Sequence, residues 1–102
     1  MLKNNFQLTV IKGNQPELKM DVVNTLSAGS DPRNDLVLIG KEIKPKHFRF
    51  QRNADFLVLE YLGGHQQSFL NSLPLEENKK YVLETGDVLT ASGTKIFMGE
   101  NI

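Results

Sequence analysis

By type, the side chains best suited to proton transfer or metal ligation in this 102-residue chain are its two histidines, His47 and His65. Neither sits among Asp and Glu residues at metal-ligand spacing, and with no Cys in the chain there is no thiolate site and no Cys nucleophile. No metal or cofactor is therefore expected, and His47 reads as a residue that braces loops. Ser27, Ser30 and Ser68 lack a Gly-x-Ser-x-Gly context and a base with an orienting partner, so nucleophilic catalysis has no support. Gly63-Gly64 is followed by neither the Lys-Ser/Thr of a P-loop nor a helix pattern, and reads as a hairpin or bulge. The remaining chemistry is that of a cation. Lys41, Lys44, Lys46, Arg49 and Arg52 stand within twelve residues against one acid, Glu42. Such a run binds phosphate, acidic lipid or an acidic protein segment; otherwise it is a solvated strand face, with Arg49 pointing outward between core residues Phe48 and Phe50.

Those side chains need a scaffold, and the turn residues outline it. Phe6, Leu8 and Val10 alternate with Gln7, Thr9 and Ile11, and Gly13-Asn14 then turns the chain toward Leu18, Met20 and Val22. Gly29-Ser30-Asp31-Pro32-Arg33-Asn34 is a shaped loop, with Asp31 expected to cap it through an Asx-type bond and Pro32 fixing φ. Asp35 to Ile39 reads as a short buried strand. Further strands are expected over 47–51, 56–61, 68–71, 81–84, 88–91 and 94–98, with turns at Thr85-Gly86-Asp87 and Ser92-Gly93. Asp87 is expected to act after Gly86 as Asp31 does in its loop. No apolar stripe at helical spacing persists for ten residues, so the domain is expected to be all-β, with two antiparallel sheets packed as a sandwich.

Composition sets the outer bounds. The chain has room for one domain, residues 1–102, and its 39% apolar and 24% charged residues suit a packed core. Twelve basic residues balance twelve acidic ones, which leaves no overall field to favour nucleic acid or an anionic bilayer. Residues 1–51 nevertheless hold eight basic and five acidic side chains, against four and seven in 52–102. There is no apolar signal region at the start and no window of ~20 apolar residues. Any membrane anchor is thus expected outside these residues.

Three stretches carry a resemblance: Gly29-Ser30-Asp31-Pro32, Asn34 to Leu38, and Glu42-Ile43-Lys44-Pro45-Lys46-His47-Phe48. Together they resemble the forkhead-associated (FHA) domain, in which a Gly-Arg loop, an acidic-apolar strand and a Ser-Arg-x-His loop follow in this order. Phe69 to Leu75 look like its later Phe-Val-Asn-Gly-x-x-Leu hairpin, and Leu83 to Leu89 like its Leu-x-x-Gly-Asp-x-Ile turn. The resemblance implies a β-sandwich of about eleven strands. It also implies phosphothreonine binding, which needs a fixed cation and several donors for a dianion. Here the loop Arg is replaced by Ser30, the phosphate-binding Ser by Lys44, and the Asn-Gly-Thr loop by Gln66-Gln67-Ser68. Ser30, Lys44, Gln66 and Ser68 are therefore degenerate phosphothreonine-site positions, whereas Gly29, Asp31 and His47 are expected to brace the loops.

The Ser after Gly29 and the Pro before His47 are more similar to the cytoplasmic FHA-like domain of the type III secretion inner-membrane ring protein, the SctD/YscD family. That resemblance implies a non-enzymatic interaction domain on the cytoplasmic side of the bacterial inner membrane, the N-terminal module of a longer single-pass protein. It implies protein partners: neighbouring ring subunits, the sorting-platform adaptor of the SctK family and the cytoplasmic-ring protein of the SctQ family. Candidate contact residues are Arg33, Lys41, Lys44, Lys46 and Arg49. The alternative is an FHA-type phosphopeptide reader using Lys44, Arg33 and Ser68 in place of the usual set.

Overall fold

The computed structural model describes residues 5–40, 43–63 and 68–101. Its strands are β1 (Asn5–Lys12), β2 (Leu18–Val22), β3 (Thr25–Gly29), β4 (Leu36–Val37), β5 (Phe48–Asn53), β6 (Phe56–Tyr61), β7 (Phe69–Leu70), β8 (Leu73–Pro74), β9 (Lys80–Leu83), β10 (Val88–Ala91) and β11 (Thr94–Asn101). They form a six-stranded sheet, β2-β1-β11-β10-β7-β8, and a five-stranded sheet, β4-β3-β5-β6-β9. Every pairing is antiparallel except β3 with β4. The expected all-β sandwich of about eleven strands is the fold observed.

Alternation decides which face of each strand is buried. Phe6, Leu8 and Val10 of β1 meet Leu26, Phe48, Phe50, Leu57 and Leu59 of the other sheet in one core. Phe48 and Phe50 are 1% and 0% exposed while Arg49 between them is exposed, which is the inward-outward register the sequence required. Ser92 (φ 45°) and Gly93 (φ 81°) make the tight β10–β11 turn, where both central residues need positive φ.

The sequence reading departs from the structure around β4. The strand expected over 35–39 is only Leu36–Val37, paired in parallel with Ala28 and Gly29. Asp35 is drawn aside to Ser27, and Ile39 is 78% exposed. β3 runs on through Gly29, assigned above to the loop, and β8 carries no alternation of its own but pairs with β7 as the hairpin that the resemblance implied over Phe69 to Leu75.

Strand directions gather the chemistry at one end. β3 and β6 finish there, β5 begins there, and the Lys12 Nζ reaches the Val37 carbonyl at 2.7 Å to tie the end of β1 to β4.

Candidate loop-end recognition site

The β3–β4 loop and the β4–β5 segment close on each other through backbone bonds. Ser30 N–H donates to the Lys44 carbonyl at 2.9 Å, and Leu38 N–H donates to the Gly29 carbonyl at 2.7 Å. Gly29 is needed for close approach: a Cβ there would overlap the Pro45 carbonyl. Asn34 latches the two segments. Its Nδ2 donates to the carbonyls of Asp31 (2.9 Å) and Pro45 (2.6 Å). Asp35 and Ser27 grip each other, with the carboxylate accepting Ser27 N–H at 2.9 Å and the Ser27 hydroxyl accepting Asp35 N–H at 3.1 Å.

His47 fastens the β4–β5 segment from beneath. It is 1% exposed, its Nδ1 accepts Lys44 N–H at 3.2 Å, and its Nε2 lies 2.8 Å from Ser68 Oγ. A backbone amide only donates, so Nδ1 carries no proton; the ring proton sits on Nε2 and is given to Ser68. Burial, with the Lys44 charge nearby, lowers the His47 pKa from 6.5 to about 4. Ser68, itself 1% exposed, thus has its hydroxyl turned into the protein toward His47.

Above this brace lies a depression of about 300 Å³, lined by Ser27, Asp31, Arg33, Asn34, Lys46, Phe48 and Leu62. Asp31 Oδ1 accepts Arg33 N–H (2.9 Å) and Nε–H (3.1 Å), while Oδ2 accepts Arg33 Nη2–H (2.7 Å). This Asx turn with a bidentate clamp holds the Asp31 carboxyl down to about 2, chiefly through the Arg33 side-chain bonds. The Arg33 side chain remains 90% exposed, so its outer edge still faces solvent. Lys46 is exposed and in no ion pair among the described residues. Lys44 pairs with Glu77 at 3.5 Å, and Arg49 pairs with Glu60 on the sheet face rather than in the depression. Lys41 and Gln66 lie outside the described residues.

Of the sequence candidates, the structure therefore gathers Ser30, Asp31, Arg33, Lys44, Lys46, His47 and Ser68 at one end and sets Arg49 apart. Sequence reasoning missed Asn34 and Glu77. Asn34 had a signal, since it closes a turn from Asp31 (Asn34 N–H to Asp31 carbonyl, 3.0 Å) and Asn side chains commonly bond back to the backbone there. Glu77 had none, being far from Lys44 in the chain. Asp87 accepts Glu84 N–H at 2.7 Å and Asn71 Nδ2–H at 2.8 Å, so it fixes the β9–β10 turn and the tip of β7 together.

What the depression can do chemically is narrow. The Ser30 amide is turned to a carbonyl and Arg33 is half engaged by Asp31, so the cationic groups lining the depression among the described residues are one guanidinium edge and the Lys46 ammonium, both on the rim. That suits a single exposed carboxylate better than an enclosed dianion.

These features define an FHA-type sandwich. The FHA domain of the CT664 protein from Chlamydia trachomatis superposes with a TM-score of 0.83 at 22% identity, over 96% of this chain and 99% of that one. The FhaA FHA domain, solved with an intracellular domain of another protein, gives 0.74 at 15% identity over 91% and 98%. A Rad53 chain solved with AMP-PNP gives 0.81 at 18% identity over 95% of this chain, which spans only 30% of that one. No curated protein sequence matches the chain. A family profile does, over residues 9–100, and the chain belongs to that family: Yop-YscD, inner membrane component of the type III secretion system, cytoplasmic domain. The family is a component of the secretion apparatus and not an enzyme family. No helix among the described residues is long and apolar enough to cross a membrane.

Proposed function

We propose that this domain is a docking module on the cytoplasmic face of the type III secretion inner-membrane ring, the N-terminal part of a longer single-pass protein. Its loop end receives the sorting-platform adaptor of the SctK family, with neighbouring ring subunits and the SctQ-family protein as further contacts. The observation that carries this reading is that Ser30 stands where a phosphate reader has its loop Arg, while the nearby Arg33 has its inner edge held by Asp31 and its outer edge on an open rim. Arg33, Lys44 and Lys46 then offer a basic rim to acidic segments of a protein partner. Repetition around a ring multiplies modest single-site affinity, because each further contact is effectively intramolecular.

Two measurements test it. A phosphothreonine peptide library is expected to bind no better than its unphosphorylated twin; micromolar binding lost on dephosphorylation would make the domain a phosphopeptide reader. The double reversal Lys44→Glu, Lys46→Glu is expected to weaken adaptor capture, flatten its salt dependence and block secretion while the domain stays folded. Normal capture and secretion by that variant would remove the basic rim from the interface.

A further inference from the structure

A second surface, on the other side of the five-stranded sheet from the core, has a layout of its own. Its registers arrange the outward side chains in rows: Arg49, Glu60 and Lys80 in one, Gln51, Val58 and Val82 in the next. Arg49 is ion-paired with Glu60 across the β5–β6 ladder. β9 is the last strand of this sheet among the described residues. Tyr61 N–H donates to the Lys79 carbonyl at 3.3 Å, which makes Glu60 and Lys80 a non-hydrogen-bonded pair. By alternation Tyr81 and Leu83 direct their backbone groups to β6, and those of Lys80 and Val82 point to the open edge. Val82 is 58% exposed, and Lys80 and Glu84 are exposed and in no ion pair among the described residues.

We propose that β9 pairs with β9 of a second copy of this chain, antiparallel about a two-fold axis at Val82. The segment Lys80-Tyr81-Val82-Leu83-Glu84 is self-complementary under that operation. Lys80 falls opposite Glu84 of the second copy, twice over, and Val82 falls opposite Val82. The charged row then continues across the junction with alternating sign: Arg49, Glu60, Lys80, and Glu84 of the other copy. The Val58 and Val82 row continues as an apolar one. Val82 N–H and carbonyl exchange two hydrogen bonds with their counterparts, which removes the liability of an open edge. The ladder stops there, because Glu84 N–H is already given to Asp87 Oδ2 (2.7 Å) and its carbonyl accepts Asp87 N–H (3.0 Å). The interface is accordingly small, in the class of weak contacts, with an expected dissociation constant of about 100 μM. The free β2 edge of the other sheet is less suited: Asp21 is already bonded by Gln7 (3.3 Å), and the outward residues beside it, Gln7 and Thr9, are polar.

This pairing does not depend on the loop end, so the two readings fail independently. The test is sedimentation velocity on the 102-residue chain from about 10 μM to 1 mM, with circular dichroism to confirm each variant is folded. The parent is expected to pass from monomer to dimer over that range. Lys80→Glu and Glu84→Lys each place two like-charge pairs in the junction and are expected to weaken association at least tenfold. The double variant, with the charges exchanged, is expected to associate like the parent. A mixture of the two single variants is expected to form a mixed dimer that neither forms alone. A parent that stays monomeric at 1 mM, a dimer indifferent to the single reversals, or single variants that fail to associate on mixing would each overturn the proposal.

Discussion

Single residues carry the sharpest stability consequences. Phe48 and Phe50 lie against each other and the rest of the core, with ring centroids 6.2 Å apart, and truncating either to Ala is expected to cost about 3 to 5 kcal/mol. Arg49 lies between them in sequence but on the solvent side, in an exposed pair with Glu60, so Arg49→Ala is expected to cost under about 1 kcal/mol. Urea titrations of the three variants check this, and equal losses would contradict the observed register. His47 adds a pH dependence. The folded state holds the ring neutral down to about 4, whereas the unfolded chain takes up a proton near 6.5. Between those values the unfolded state binds more protons, so stability falls as pH drops through the window, by up to about 3 kcal/mol, and is unaffected above pH 7. The physical event is specific: a protonated Nδ1 becomes a donor facing the Lys44 N–H. A titration of unfolding free energy from pH 7 to 4 should show the slope, and His47→Gln should flatten it.

At the scale of elements, the loops are held by contacts that no single strand supplies. Gly29→Ala must push apart β3 and the Pro45 backbone, an overpacking expected to cost about 1 to 3 kcal/mol and to loosen both loops together. Asn34→Ala leaves the Pro45 carbonyl without that donor and is expected to cost about 1 to 2 kcal/mol. Hydrogen exchange at Ser30 and Leu38 amides reads both, since each bonds across the same junction. The same contrast governs what could be read beforehand. Phe48-Arg49-Phe50 and Ser92-Gly93 announce their geometry locally, through alternation and through a turn that demands positive φ. The sandwich followed from such signals. The parallel β3–β4 pairing, the Asn34 bridge to Pro45, the His47 bond to Ser68 and the Lys44 pair with Glu77 join residues distant in the chain, and long-range contacts leave no spacing signature. The Asp31 clamp on Arg33 was half visible: the Asx turn is a local habit of Asp, whereas the direction of the guanidinium is a matter of space.

At the scale of the whole molecule, the six-stranded sheet joins the two extremes of the described chain, with β1 running beside β11 from Asn5↔Asn101 to Lys12↔Thr94. That ladder sets a timetable for synthesis. The β1–β2 hairpin leaves the ribosome first, but the other flank of β1 has no strand to pair with until residues 94–101 exist, a wait of roughly 4 to 16 s at ordinary elongation rates. Through that interval Phe6, Leu8 and Val10, all buried in the finished core, have β2 on one flank but lack their β11 neighbours Glu100, Met98 and Ile96 on the other. A nascent chain from which β11 has not emerged is therefore expected to remain protease-sensitive and to recruit holding chaperones, and one with β11 outside the ribosome is expected to become resistant in a single step. Slow-translating codons ahead of β11 should lengthen the vulnerable phase without altering the folded product, so a pause placed there lowers yield where the same pause after β11 has emerged does not.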